Sequence, residues 1–462
     1  MELSIETTAI DGLLIVHLPV HGDNRGWFKE NWQREKMVAL GLPDFGPVQQ
    51  NLSHNASRGA TRGIHAEPWE KLVSVADGRI FGAWVDLRDG DGFGTVVTVE
   101  MGPETAVFVP RGVGNSYQAL VDRTTYAYLV NDHWSPEARA EYTFVNLFDP
   151  AIGIPWPIGR DEAEISAADE AHPLLSEIQP VKPRRTLVVG AKGQLGRALM
   201  DLLPDAVGID LDDLDITDAA AVDAYDVRGI DTIINAAAWT AVDVAETDDG
   251  RRGAWAANAV AVGNLAAVAR RRGLRFVHVS SDYVFDGTAE EHDETEPFAP
   301  LGVYGQSKAA GDLLAATVPQ HWIARTSWVI GSGKNFVATM AALADKGVSP
   351  TVVGDQFGRL TFTADLAAAI VHLLSSGAEP GTYNVTNSGP VQSWSDIAKR
   401  VFELRGRNAD DVTPITTDEY SEGKLVSPRP QHSALSSAKL SATGFTAPDA
   451  DERLRAYVES LP

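Results

Sequence analysis

From Leu13 to Phe148 the chain sets short apolar runs (LLIVHL, RIFGAWVDL, TVVTVEM, TAVFVP, TYAYLV) between glycines and Asp-Gly pairs. Runs of that length, bounded by turn residues, predict β-strands, and their even spacing predicts an all-β sandwich or barrel. After Arg184 the pattern changes. Apolar runs such as TLVVG, DTIINAAA, RFVHVSS and WIART now alternate with stretches of helical period, QLGRALMDLL and NAVAVGNLAAVARRRG. Strand and helix in alternation predict a parallel, doubly wound α/β sheet. Between the two patterns lies EIQPVKPRR, two prolines and a basic cluster without apolar period, which predicts a linker over 177–185. Domains are therefore expected at 1–176 and 186–462. The acidic stretch Arg160 to Glu170 is expected to be surface disorder or a lone helix.

The length of 462 residues fits two or three domains. Against 39 Lys and Arg stand 63 Asp and Glu, a net charge of -24, so nucleic acid and anionic membranes are poor partners. The chain has no Cys, which removes disulfides, thiolate nucleophiles and Cys-ligated metals. The N-terminal MELSIETTAIDG carries acids where a signal peptide needs bases, and no apolar stretch reaches ~18 residues. A cytoplasmic protein is expected.

In the second half, GAKGQLG follows a strand and opens a helix, with glycines at 190, 193 and 196 and with Leu195, Leu199 and Leu202 on one helical face. Such a turn lets backbone N–H groups approach a pyrophosphate at the helix N-terminus. Asp210, twenty residues past Gly190, is placed to accept hydrogen bonds from a ribose. Crowding by Asp212, Asp213 and Asp215 disfavours a 2′-phosphate, which leans the expectation toward NADH over NADPH. Farther on, Tyr304 and Lys308 lie four apart, so on a helix they share one face. A phenol beside an ammonium suits proton delivery to a carbonyl, and Ser281, at the end of RFVHVSS, can donate to the same oxygen. A second Tyr–Lys pair, Tyr420 and Lys424, has glycine between its members and no helical period, and is set aside.

The segments GAKGQLG, LDIT, INAAAWTAVDVAE, VSSDYVFDG, YGQSK, RTSWVIG, GDQFGRLTFTADLA and GTYNVTNSG resemble, in order and spacing, dTDP-4-dehydrorhamnose reductases of the extended short-chain dehydrogenase/reductase class. The resemblance implies a Rossmann-type domain in which Ser281, Tyr304 and Lys308 are catalytic. It implies that Ser281, Asp282 and Trp328 touch the sugar nucleotide. It also implies that Gly193, Gln194, Leu195, Asp215, Ile216, Ala236, Ala237 and Ala238 line the cofactor, NADPH or NADH. Trp239, Arg359 and His432 depart from the residues usual in that family.

In the first half His65 stands out among six histidines, flanked by Arg62 and Lys71 and preceded by Gln49, Asn51, Arg25 and Glu30. Forked arginine donors suit phosphate, and a base among cations suits removal of a proton beside a ketone. The metal pattern of cupin barrels is broken, with Glu67 and Asn115 in place of two histidines, so no metal is expected. DNRGWFKE, QQN, RGIH, PRGVGNSYQAL, TYAYLVNDHWSP and FDPAIGIPWP resemble dTDP-4-dehydrorhamnose 3,5-epimerases, which implies a cupin-like jelly-roll barrel. By that resemblance His65 is the base paired with Asp169, Tyr128 the acid across the sugar, and Lys71 the enolate's support. Arg25, Glu30, Gln49, Asn51 and Arg62 hold the nucleotide, with Asn115 at the position of a family histidine.

Together the halves imply epimerisation of a dTDP-4-keto-6-deoxy sugar at carbons 3 and 5, then reduction at carbon 4 to dTDP-L-rhamnose. The alternative is a reductase carrying a degenerate binding or assembly module. A homodimer is expected, and Mg2+ is an additional expected ion without located ligands.

Overall fold

The computed structural model describes residues 2–136 and 138–462. The chain divides into two compact units, Met1–Pro183 and Arg184–Pro462, and the division falls inside the expected linker.

The first unit is a sandwich of two largely antiparallel sheets. One runs in the order Ser4–Thr7, Leu14–His17, Thr105–Val109, Lys71–Asp77, Thr124–Val130, Gln49–Asn55. The other runs Thr143–Phe144, Ala60–Ala66, Val113–Ala119, Ile80–Asp86, Val96–Met101. Their facing sides share a core of Val73, Val75, Val107 and Tyr126 from the first sheet with Ile80, Trp84, Met101 and Tyr117 from the second. The strand Lys71–Asp77 is buried without a break from Lys71 to Val75 because both its faces are covered. Val73 and Val75 enter that core, while Leu72 packs outward under Met37, Leu42 and Phe45. Lys71 shares the inward face with Val73, since side chains alternate along a strand.

The strand Ala60–Ala66 breaks this alternation. Its register on Val113–Ala119 pairs Asn115 with His65 but Tyr117 with Arg62, so two residues, Gly63 and Ile64, oppose the single Ser116. On a regular strand, Arg62 and His65 would point to opposite faces; the extra residue of the β-bulge returns both to the same one. Gly63, at φ 120°, sits in that bulge, and a Cβ there would lie 2.5 Å from Ser116 Cβ.

Of the two expectations for the acidic stretch, disorder or a lone helix, the structure has the helix, together with a short strand. Glu164–Ile165 adds a short parallel strand beside Ala60 and Thr61, and Ser166 caps the one-turn helix Ala167–Glu170 by accepting from the Asp169 N–H.

The second unit holds a six-stranded parallel sheet in the order Val207–Ile209, Arg185–Val189, Ile230–Asn235, Arg275–Ser281, His321–Thr326, Gly381–Asn384. The first strand in sequence lies second, with its chain successor on one side and Ile230–Asn235 on the other. That reversal opens a crevice at the carboxyl ends of Arg185–Val189 and Ile230–Asn235, where ligands bind in open α/β sheets. Helices Phe336–Asp345, Trp394–Leu404 and Ala450–Ser460 pack on one another around Ile397, Val401, Phe402 and Leu454. In helix Gln194–Leu202, Leu195 and Leu199 are buried as the period predicts, but Leu202 is exposed because the helix ends there.

Candidate functional site

In the first unit the bulge, the inward face of the first sheet and the one-turn helix meet around a cavity of ≈400 Å³. Arg62, His65, Lys71, Asn115, Tyr128 and Asp169 all line it, together with Tyr142, Phe144 and His172. His65 Nε2 lies 3.0 Å from Asp169 Oδ1, and the Gly63 N–H donates to Asp169 Oδ2 at 3.4 Å. Burial works to raise the Asp169 pKa, but the hydrogen bond and charge of His65 outweigh it and hold the carboxyl below its ordinary value. A carboxylate can only accept, so Nε2 carries the proton and Nδ1 keeps the lone pair. Burial, with the charge of Glu67, pushes the Tyr128 phenol up to about 12, so it keeps its proton at neutral pH.

Lys71 and Glu67 form a buried ion pair, and Glu67 also accepts from the Trp69 indole N–H at 2.9 Å. The carboxylate that departs from the family pattern thus has its own counter-charge. Asn115, opposite His65, accepts from the Tyr126 hydroxyl at 2.9 Å. Gln49 and Asn51 are hydrogen-bonded to each other on the strand beside Tyr128, and Gln49 also accepts from the Trp134 N–H. Arg25 and Glu30 do not line the cavity. Arg25 lies exposed at a hairpin tip, paired with Asp23 at 2.5 Å, and Glu30 pairs with Lys36 beside a separate groove.

Sequence reading missed His172. Its ring stacks on Phe144 at 4.8 Å and meets His65 edge-on at 5.3 Å, with Nε2 3.8 Å from Asp169. Burial and the His65 charge push its pKa down, so this ring favours the neutral form. His65, Asp169 and His172 also form a group whose ligand atoms lie within 4.8 Å of one another, although no metal was expected here. Two imidazoles and one carboxylate suit a transition metal better than Mg2+. The available signal for His172 was its place three residues after Asp169, the expected partner of the base.

The second unit carries a larger cavity, ≈790 Å³, at the sheet's reversal point. Gly190, Gly193, Gln194, Leu195, Asp210, Asp215, Ile216, Ala236, Ala237, Ala238, Tyr304 and Lys308 line it. The glycine turn has the close approaches that a dinucleotide cradle needs. Gly190 has φ 83°, and a Cβ there would lie 2.7 Å from the Ala237 nitrogen. Gly193 caps helix Gln194–Leu202 and leaves its first N–H groups facing the crevice. Gly196 lies beneath the cavity, and a Cβ on it would sit 2.1 Å from Gly190 O. Gly196→Ala must therefore move backbone, at ~1–3 kcal/mol. Affinity for a reduced nicotinamide dinucleotide should fall at least ~tenfold, read by titrating its fluorescence; unchanged affinity would deny this turn a part in cofactor binding.

Asp210 accepts from the backbone N–H of Lys192 and of Leu211, both at 2.9 Å, and Lys192 Nζ pairs with Asp212 at 2.8 Å. The acidic loop thus has a cation at its centre, which a count of aspartates did not weigh.

Tyr304 and Lys308 share one face of helix Val303–Ala315, and Lys308 Nζ donates to Val279 O at 2.6 Å. The Ser281 hydroxyl acts on the Tyr304 phenol to lower its pKa, and it donates to Asp282 Oδ1 at 2.8 Å. Burial pushes Tyr304 up to about 12 and Lys308 down to about 8. Asp282 is fully buried, which raises it to about 6. Ser281, Asp282 and Trp328 do not line the cofactor cavity. Trp328, at φ 44°, stacks on Trp394 with ring centroids 3.7 Å apart.

Tyr420 and Lys424 do meet, with Nζ 4.1 Å above the ring, but on the exposed surface. Asn258 is a second residue the sequence reading missed. It sits in a π-turn, Ala256–Val260, and is buried. Its side chain accepts from Trp239 N–H, donates to Trp239 O, and donates to Ser307 Oγ, tying the Ala236–Trp239 loop to the Tyr304 helix. A polar residue within an apolar helical run was the available signal.

A parallel sheet with a glycine cradle and a buried Tyr–Lys pair defines a nicotinamide-dependent reductase of the short-chain dehydrogenase class. It follows a cupin-like barrel with its own acid–base pair. Residues 184–462 match the family described as RmlD substrate binding domain, and residues 7–177 match dTDP-4-dehydrorhamnose 3,5-epimerase. The chain belongs to both families, one in each half. The RmlC homolog of Streptococcus pyogenes serotype M6 is 48% identical over 184 residues, 39% of this chain and 92% of that protein. The dTDP-4-dehydrorhamnose reductase of Mycolicibacterium smegmatis is 37% identical over 278 residues, 58% and 82% of the two chains. The Bacillus anthracis dTDP-4-dehydrorhamnose reductase, solved in complex with NADP, is 34% identical with TM-score 0.56, covering 60% of this chain and all of that one. Among the described residues no helix is long and apolar enough to cross a membrane.

Proposed function

We propose that this chain performs two consecutive reactions on one sugar nucleotide. The first half inverts carbons 3 and 5 of dTDP-4-dehydro-6-deoxy-D-glucose, and the second half reduces the carbon-4 ketone to give dTDP-L-rhamnose. The observation that supports it is that each half has its own proton-transfer pair in its own cavity, His65–Asp169 in one and Tyr304–Lys308 in the other.

A carbon-4 ketone acidifies the C–H bonds on both neighbouring carbons. His65 Nδ1 takes the proton while Asp169 steadies the imidazolium that results. Lys71 has three donors and gives one to Glu67, so the others serve the enolate oxygen. Tyr128, still a phenol at neutral pH, returns a proton from the other face and inverts the centre. Arg62, with Gln49 and Asn51, holds the nucleotide.

In the second half the Gly190–Leu195 turn holds the pyrophosphate and Asp210 the ribose, with Ala236, Ala237 and Ala238 along the cofactor. NADPH or NADH supplies the hydride there, and Lys192 offers a 2′-phosphate its cation. Tyr304 gives its proton to the carbonyl oxygen, Ser281 donates to the same oxygen, and the Lys308 ammonium stabilises the phenolate left behind. Asp282 and Trp328 contact the sugar nucleotide.

Incubation of the 4-keto sugar nucleotide in deuterated water without nicotinamide tests the first half. Deuterium should enter carbons 3 and 5, and later addition of NADPH should be followed by its oxidation. NADPH oxidation with no isotope uptake would leave the first half a degenerate binding module.

A further inference from the structure

One turn past Lys308 on the same helix lies a carboxylate with no part in the scheme above. Asp312 is 1% exposed, and the groups around it are as deeply buried: Lys308 at 1%, Arg325 at 4% and His278 at 0%. Arg325, from the strand His321–Thr326, donates through Nε to Asp312 Oδ2 at 3.0 Å. Its guanidinium is also held over the rings of Phe285 and Phe298, at 5.3 and 4.9 Å, and donates to Glu294 O. His278, from the strand Arg275–Ser281, accepts at Nδ1 from the Asn235 amide, 3.3 Å away. The proton of the neutral ring is therefore on Nε2, which lies 3.9 Å from Asp312 Oδ1. Ser280 on the same strand faces the carboxylate as well.

The charges in this interior do not balance pair by pair. Arg325 and Lys308 bring two cations, Asp312 brings one anion, which burial pushes toward its neutral form and the Arg325 charge holds ionised, and His278 stays neutral because burial and the Lys308 charge keep its pKa low. Arg325 holds Asp312 by a direct charged hydrogen bond, whereas Lys308 Nζ is bonded to a neutral carbonyl, Val279 O. An ammonium in a dry interior is costly unless an opposite charge is near.

We propose that Asp312 is a positioning residue of the reductase site: it supplies the buried counter-charge that keeps Lys308 an ammonium beside Tyr304, and Arg325 keeps that carboxylate charged. The proposal rests on the reading of Tyr304 and Lys308 as the reducing pair. Burial lowers the Lys308 pKa to about 8, and the Asp312 charge is what opposes that fall. The ammonium is present below that pH and is lost as pH rises through it, so reduction should weaken over the same range.

The test is the pH profile of kcat/KM for NADPH-dependent reduction by the full chain, using sugar nucleotide already epimerised. In Asp312→Asn the alkaline limb should move to lower pH by about one unit or more, the scale on which a neighbouring charge moves a buried group. Asp312→Glu should restore the native limb. Arg325→Gln removes the cation that holds Asp312 ionised against burial, so its limb should move to lower pH as well. A residue that only packs the core would lower the rate without moving the limb. NADPH binding, read by fluorescence, identifies folded variants; should Asp312→Asn not fold, the downward shift in Arg325→Gln decides the matter alone. Coincident limbs in native and folded variant proteins, or an upward shift in either variant, would overturn the proposal. If native protein oxidises no NADPH with this substrate, it is the reductase reading that fails instead.

Discussion

Tyr304→Phe is expected to slow NADPH-dependent reduction by ~10²–10⁴-fold, the contribution of a positioned general acid. The phenol is the group at the cofactor cavity with both a hydroxyl neighbour, Ser281, and an ammonium one turn away on its helix. Phenylalanine keeps the ring, and with it the edge contact to Tyr283 at 5.5 Å, so the fold loses one hydroxyl and little packing. Deuterium uptake at carbons 3 and 5 should continue at the native rate, because the variant leaves the first cavity untouched. Rapid-mixing measurement of NADPH absorbance and mass spectrometry of the sugar read the two activities separately. Reduction persisting at near-native rate would remove Tyr304 from the mechanism.

His65→Ala should show the reverse, with isotope exchange falling ~10²–10⁴-fold and reduction of a supplied 4-keto-L-rhamnose nucleotide unchanged. The size follows from His65 being the imidazole hydrogen-bonded to Asp169 in a cavity that also holds the Tyr128 phenol. Asp169→Asn should lose most of the same activity, because an amide can donate to Nε2 and so leave the wrong nitrogen protonated. His172 sits against the same carboxylate at 3.8 Å and provides a contrast. If His172→Ala abolished exchange while His65→Ala retained it, the base would be the wrong histidine. One substitution silencing both reactions would contradict independent sites.

Much of the second unit was legible because its chemistry is local. The glycines at 190, 193 and 196 fall in one turn, and Tyr304 and Lys308 are one helical turn apart, so spacing alone brings them together. Asn258 escaped notice because its role depends on a π-turn that aims it at Trp239 and Ser307 from different segments. The buried cluster around Asp312 was likewise hidden: Lys308 lies one turn away on its helix, but Arg325 and His278 come from two separate strands that no spacing links to it.

In the first unit the alternating strands were evident, but their chemistry was assembled from afar. Asp169 reaches His65 across 104 positions, on a short helix in a stretch whose acidity suggested disorder. Arg25 and Glu30 show the converse, since the resemblance that placed them at the nucleotide is not matched by a place on the lining of this cavity. The Lys71–Glu67 pair was hidden as well, since the carboxylate that breaks the metal pattern meets its counter-charge only in the folded interior.

By itself the sequence determined the two architectures, because hydrophobic period is fixed by strand and helix geometry, and it determined each constellation contained within one turn or one helix. Only the tertiary structure decided which distant groups share a charge and which way a side chain faces. The bulge at Gly63 is the plainest case: one extra residue puts Arg62 and His65 on the same side, and the cavity exists because of it. The physical reason is that side-chain direction and electrostatic coupling depend on backbone register and on burial, and both are set by packing between segments far apart in the chain.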